Sequence, residues 1–264
     1  MTARRDADAP VESMAAAMVD AIAGCDAIIN LAGEPVAGRR WSERQRARIR
    51  DSRVEITRAI VEAARRVDDR PRALVSTSAS GYYGDAGAAP VDEDAASGDD
   101  FLASVCRDWE AAAAPARALG MRLAIIRVGI VLGRGGGALE QIVKPVRLGV
   151  GGPLGAGDQY MPWIHLDDVV RVFVEATGDA RYEGVFNAAA PAPATNAELT
   201  RALGAVLRRP TLFRVPRFAL KLAVGELAEV LLGGQRMIPR RLGELGFRFE
   251  HPALAGALED LLGS

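Results

Sequence analysis

Cysteine, histidine and lysine are nearly missing from this chain: two of each in 264 residues. Cys25 and Cys106 form no close-spaced pair, which excludes a disulfide scaffold or zinc framework and suits a reducing cytoplasm. With two histidines scattered among two cysteines, no metal-ligand cluster is expected. A bias of charge is also absent. The 33 basic and 34 acidic residues leave a formal net charge of −1. No overall field therefore argues for nucleic acid or an anionic membrane as partner. Uncharged apolar runs of membrane-spanning length are lacking too, since the longest candidate, LAIIRVGIVLG, is broken by Arg127. The opening MTARRDADAP carries a basic pair with no apolar stretch behind it, unlike a signal peptide. The expectation is a soluble cytoplasmic protein acting on a small molecule.

What the chain does contain is 49% hydrophobic residues and 28 glycines, enough for a large core with many tight turns. Short apolar runs alternate with helical periodicity. DAIINLAG (Asp26 to Gly33) reads as a buried parallel strand. Trp41 to Val67 carries an apolar stripe at Ile49, Ile56, Ile60 and Val67, and Pro71 ends it. A strand at Ala73–Val75 follows, then an acidic Ala/Gly-rich loop from Asp85 to Asp100, then a helix from Phe101 to Leu119. LAIIRVGIVLG is the most apolar strand candidate. A Gly/Pro-rich excursion from Gly149 leads to WIHLDD, where Asp167 and Asp168 stand as N-cap or first-turn carboxylates. Thr195 and Glu198 have the spacing of a capping box. The tail from Arg208 reads as mostly helical and packed on the main body. Strand–helix alternation with continuous apolar strands predicts a parallel α/β sheet.

The segment RALVSTSASGYYG (Arg72 to Gly84) concentrates hydroxyls behind a strand. Parallel sheets place their chemistry at the carboxyl ends of strands, so Ser76, Thr77, Ser78, Tyr82 and Tyr83 are expected near a site. Gly133 to Ala138 fits G-x-G-x-x-A literally, but no second strand with an acidic ribose ligand follows it. The Tyr-x-x-x-Lys pair of short-chain dehydrogenases is absent, because neither Lys144 nor Lys221 lies four residues after Tyr82, Tyr83, Tyr160 or Tyr182. No G-x-S-x-G elbow exists, which excludes the α/β-hydrolase reading. His165 has two nearby carboxylates, and a backbone-bonded structural role is the favoured reading.

Taken together, DAIINLAGEP, RWSERQRARIRDSRVEITRAIVEA, SASGYYG, FLASVCRDWE, LAIIRVGIVLGRGGGAL, GGPLGAGDQYMPWIHLDD, NAAAPAPATNAELT and LGGQRMIPRRLGELGFRF resemble the epimerase family of the extended short-chain dehydrogenase/reductase superfamily. That group includes the bacterial YfcH-like proteins and carries a C-terminal DUF1731 region. The resemblance implies an α/β Rossmann-like parallel sheet with helices on both faces, spanning residues 1–190 and truncated at its N-terminus. Parts of 133–165 would join a small, mostly helical substrate lobe, and residues 191–264 would form the DUF1731-like region. It implies NADP(H) or NAD(H) as cofactor and an epimerase or oxidoreductase activity on an unknown substrate.

Residue by residue, the resemblance assigns Asn30, Leu31, Ala32 and Gly33 to the turn beside the cofactor, and Ser76 and Thr77 to the strand end under the nicotinamide. Arg127 and Gly129 fall near nicotinamide and substrate, Ser78 is the catalytic serine, and Tyr82 is a substitute phenol. Trp163, His165 and Asp168 would close the substrate lobe. Two departures stand out. Aligning Glu110 with the Glu that follows the family's lysine puts Leu102 at the tyrosine position and Cys106 at the lysine position. The GGTGFIG-like phosphate turn is missing, for which a misplaced start is the favoured explanation. The alternatives are a non-catalytic NADP(H)-binding or sensing module and a truncated chain that binds no cofactor.

Overall fold

In the computed structural model, which describes residues 11–263, the apolar runs pair into one parallel sheet. Helices α1 (Val11–Ala16) and α2 (Val19–Ile22) precede β1 (Ala27–Asn30), α3 (Glu43–Arg65) and β2 (Ala73–Ala79). A 3-10 turn at Ser80–Tyr83 leads to β3 (Gly87–Val91), α4 (Phe101–Ala113), β4 (Arg122–Val128) and β5 (Ile130–Leu132). Then come α5 (Gly137–Arg147), β6 (Tyr160–Met161), β7 (Trp163–His165), α6 (Leu166–Gly178) and β8 (Gly184–Ala188). The chain ends through β9 (Ala194–Thr195), α7 (Asn196–Leu207), α8 (Arg217–Val224), α9 (Leu227–Leu232), β10 (Gln235–Met237), α10 (Arg240–Glu244) and α11 (Leu254–Leu262). The main sheet has the order β1-β2-β4-β8, all parallel.

Alternation along the strands sorts the core into two layers. Leu74, Leu123 and Ile125 pack with Ile60, Val61 and Ala64 of α3. Val75, Ala124 and Ile126 pack on the other face with Val172 and Phe173 of α6 and Leu242 of α10. The same period carries on to the polar residues that follow. Ser76, Ser78 and Arg127 therefore turn toward α3 and α4, and Thr77 turns toward the side of α6.

Several expected elements take a different form. The strand foreseen from Asp26 to Gly33 pairs only over Ala27–Asn30 and is half-exposed, because β1 is the edge of the described sheet. Ile29 and Leu31 are 42% and 67% exposed there. The helix expected to reach Leu119 tightens into a 3-10 turn at Ala114–Leu119, since Pro115 has no N–H to continue the α pattern. Gly120 then closes it in the left-handed conformation at φ 79°. The acidic loop contains β3, which pairs in parallel with β10. The capping box of α7 forms with Thr195 and Glu198 as foreseen. The cap of α6 is His165, with Asp167 and Asp168 in the first turn.

Candidate active site

At the carboxyl ends of β2 and β4 the two faces of the sheet differ in chemistry. On the α4 side, Arg127 reaches Glu110 through two hydrogen bonds, Nε to Oε1 at 2.8 Å and Nη2 to Oε2 at 2.9 Å. The Ser78 hydroxyl donates to the same Oε1 at 2.7 Å. Arg127 also donates to the Tyr83 hydroxyl, which donates to Asn187 Oδ1 at 2.7 Å. The guanidinium lies 3.3 Å from the centroid of the Tyr82 ring. Burial alone would depress the Arg127 pKa, but the hydrogen bonds and charge of Glu110 outweigh it and the net shift is upward. Burial pushes the Tyr83 phenol up to about 12, against the pull of Arg127. Both groups thus hold their protons across the physiological range.

Seen residue by residue, many of the expected contacts point inward. Ser78 is fully buried and committed to Glu110. Ser76 is buried and joined to Asn30, whose Nδ2 donates to Thr57 at 2.8 Å and to Ser76 at 3.4 Å. Asn30 Oδ1 accepts the Ala32 N–H, so this side chain fixes the turn through Leu31. Gly33 faces the Arg53 guanidinium, and a Cβ there would stand 2.9 Å from its central carbon. Arg53 is itself anchored to the Glu34 and Ile49 carbonyls, and burial lowers its pKa. Gly129 is required by packing, since a Cβ would come within 2.5 Å of the Pro162 carbonyl oxygen. Leu31 projects outward and Ala32 is half-buried. Tyr82 is half-buried, in a T-shaped contact with Tyr83.

Thr77 is the exception. Its hydroxyl oxygen is buried and has no hydrogen-bond partner. Buried hydroxyls are almost always paired, with protein or with water, and this one stands at the carboxyl end of a parallel strand.

Leu102 and Cys106 occupy the first turns of α4, beside Gly81. Burial, then the charge of Glu110, raises the Cys106 thiol to about 11, so it is no ready base. Leu102 and Gly81 line a cavity of about 350 Å³ closed on its far side by Glu226, Glu229 and Val230 of the C-terminal region. Across its rim Arg46 pairs with Glu226 and lies over the rings of Trp41 and Phe101. Asp85 and Asp100 also line the cavity but are tied down, Asp85 accepting the Gly234 N–H and Asp100 capping α4.

The glycine run from Gly133 leads from β5 into α5, beside α11 and outside the four-stranded sheet. Among the described residues, no glycine-rich turn joins β1 or β2 directly to a helix. The residues present fit the nicotinamide end of a dinucleotide, and the phosphate cradle of that fold is not among them.

Sequence reasoning missed one constellation. His165, Asp167 and His251 come together, with the imidazoles stacked at 3.7 Å. His165 Nδ1 accepts the Asp167 N–H, and its Nε2 lies 3.4 Å from Asp260 without a hydrogen bond. Asp168 accepts the N–H groups of Glu250 and His251. Stacked rings direct their lone pairs in near-parallel planes, and His165 already uses Nδ1 as cap. The cluster joins α6, the 250–251 turn and α11.

The profile of the NAD dependent epimerase/dehydratase family matches residues 8–189, and that of DUF1731, a domain of unknown function, matches residues 215–261. This chain belongs to the NAD dependent epimerase/dehydratase family. It is 42% identical to the chloroplastic homologue of epimerase family protein SDR39U1 of Arabidopsis thaliana, over 91% of this chain and 70% of that one. It is 34% identical to epimerase family protein YfhF of Bacillus subtilis, over 90% and 78% respectively. Among solved structures, human SDR39U1 with NADPH superposes with a TM-score of 0.88 at 36% identity, covering 94% of this chain and 85% of that one. The family is thus of the extended short-chain dehydrogenase type, and the fold is the Rossmann-like one. None of the helices of the described residues is long and apolar enough to cross a membrane.

Proposed function

We propose that this protein binds NADP(H) at the carboxyl ends of β1 and β2 and uses it in a redox exchange with a small molecule held in the cavity beside Leu102. The observation that carries the reading is the unpartnered buried hydroxyl of Thr77. Its support from outside the chain is the similarity to an NADPH-bound relative. Thr77 would bond the nicotinamide end, and the turn from Asn30 to Gly33 would lie along the cofactor. When bound, the nicotinamide supplies hydride chemistry. Glu110, Ser78 and Arg127 hold the strand ends in place, which makes Ser78 a positioning residue. Tyr82 offers the phenol for proton transfer, its ring held against the Arg127 guanidinium.

A second reading, an NADP(H)-binding module without turnover, is favoured by Leu102 and by the protonated Cys106 thiol at the acid–base positions. Titration of the full 264-residue chain with NADPH, followed by nucleotide fluorescence, tests both. Micromolar binding that Thr77→Val weakens roughly five- to tenfold supports the assignment, in line with loss of one hydrogen bond of about 1 kcal/mol. Absence of binding sinks both readings together. Tyr82→Phe separates them: the redox reading expects binding to persist and NADPH oxidation with candidate carbonyl substrates to disappear.

A further inference from the structure

The balanced net charge of the chain conceals a local segregation. Between Glu198 and Glu226 no acidic residue occurs, while Arg201, Arg208, Arg209, Arg214, Arg217 and Lys221 do. All six are exposed. The same stretch displays Leu212, Phe213, Phe218 and Leu222 at 81%, 67%, 76% and 76% exposure. Large apolar side chains scattered singly on a surface need no explanation, but a group of four interleaved with six cations does.

The arrangement is ordered by the backbone. Phe218 and Leu222 are four residues apart on α8 and share a face, while Leu220 turns inward. Arg217 and Lys221, also four apart, run along the flank of that face, within 3.5 and 3.4 Å of the Glu229 carboxylate. Upstream, Val215 bonds to the Pro153 carbonyl and its own carbonyl receives Gly155, which fastens the Leu212–Val215 stretch to the main body. Gly152 lies directly against the Phe213 backbone. Just before it, Leu148 and Val150 are 77% and 61% exposed, and Lys144 and Arg147 occupy the last turn of α5. Cations and protruding apolar groups therefore come from two segments held side by side.

We propose that this face docks on an anionic lipid bilayer. Nucleic acid would satisfy the cations and leave the leucines in water. An anionic bilayer satisfies both: headgroup phosphates and carboxylates meet the arginines while Phe and Leu enter the acyl boundary, as for interfacial amphipathic segments. Each basic residue near such a surface contributes about a fivefold gain in binding.

The test is flotation of the full chain with vesicles of phosphatidylcholine alone or of phosphatidylcholine with phosphatidylserine. Binding is expected only to the serine-containing vesicles, and to fall steeply as salt rises. Phe218→Ser with Leu222→Ser should reduce it at least tenfold, and Arg214→Ser with Arg217→Ser by a similar factor. Circular dichroism and the melting temperature report that each variant is folded. The proposal is overturned by absence of binding, by equal binding to both vesicles, or by binding that neither double variant changes. Light scattering that shows a dimer dispersed by Phe218→Ser with Leu222→Ser would also overturn it, since a second copy would then cover this face. Tighter binding to a single-stranded oligonucleotide than to the vesicles would assign the cations to nucleic acid instead.

Discussion

Adjacent residues of one strand, Ser78 and Thr77, end in opposite situations. The Ser78 hydroxyl closes a network in which Glu110, Arg127, Tyr83 and Asn187 satisfy one another. The Thr77 hydroxyl is equally sheltered and bonds to nothing. A period of two puts them on opposite faces of the sheet. On the α4 face the polar groups around Ser78 are satisfied by the protein itself. On the other face the Thr77 hydroxyl has no protein partner. Hydroxyl-rich strand ends thus need not be alike throughout: one hydroxyl here is committed to the protein's own network and its neighbour is not.

The largest effect expected from breaking this contrast is on stability. Glu110→Gln leaves the Arg127 charge in place, nearly fully buried, without its counter-charge. Removing one member of such a pair costs about 3–5 kcal/mol, read as a lowered midpoint in urea unfolding with an unchanged slope. The paired change Glu110→Leu with Arg127→Met should be milder than the single one, because neither charge then remains. A double variant as unstable as Glu110→Gln would show that the network is held by something other than the ion pair.

A smaller and more discriminating comparison uses the two hydroxyls. Ser78→Ala removes one hydrogen bond to Glu110 while Arg127 keeps both of its own, so a loss of about 1 kcal/mol in stability is expected. NADPH affinity should stay within twofold of the wild type. Thr77→Val should do the reverse, with stability unchanged or slightly raised and NADPH binding weakened roughly five- to tenfold. If Ser78→Ala abolishes NADPH binding at unchanged stability, the roles given to the two faces are exchanged.

How much of this the sequence could show depends on the range of the interactions. The capping box at Thr195 and Glu198 was legible because both partners lie within one turn. The parallel sheet was legible because strands buried on both faces read as continuous apolar runs. The helix cap of α6 was not. Asp167 and Asp168 do stand in the first turn as their composition suggested, but the cap is His165 and Asp168 binds the chain at Glu250 and His251. Nor was β3, whose GAAPV carries no strand pattern and whose partner β10 lies far along the chain. The commitment of Ser78 to Glu110 was invisible for a similar reason: the spacing of α4 placed Glu110 by family pattern, not by what it touches. Net charge concealed the most, because a sum of −1 says nothing about a cationic face balanced by acids elsewhere.

The slightest effect concerns the two thiols, which extend the contrast between finished and open surroundings. Cys25 is exposed and Cys106 is buried at the base of the α4 face. Burial raises Cys106 from an ordinary thiol value of 9.0 to about 11. In the folded chain it therefore keeps its proton where the unfolded chain would release it. The sign follows from linkage: the folded state binds more protons between pH 9 and 11, so the stability held by the neutral thiol is full below pH 9 and lost as pH rises through 11. Tyr83, raised to about 12, shifts in the same direction at higher pH. Cys106→Ala should accordingly flatten the decline of stability between pH 9 and 11 without removing the part due to Tyr83. At neutral pH, iodoacetamide should modify Cys25 fast and Cys106 only at the rate of unfolding, read by peptide mass. Rapid modification of Cys106 in the folded chain would mean an accessible thiolate beside Ser78, and would return that cysteine to the list of acid–base candidates.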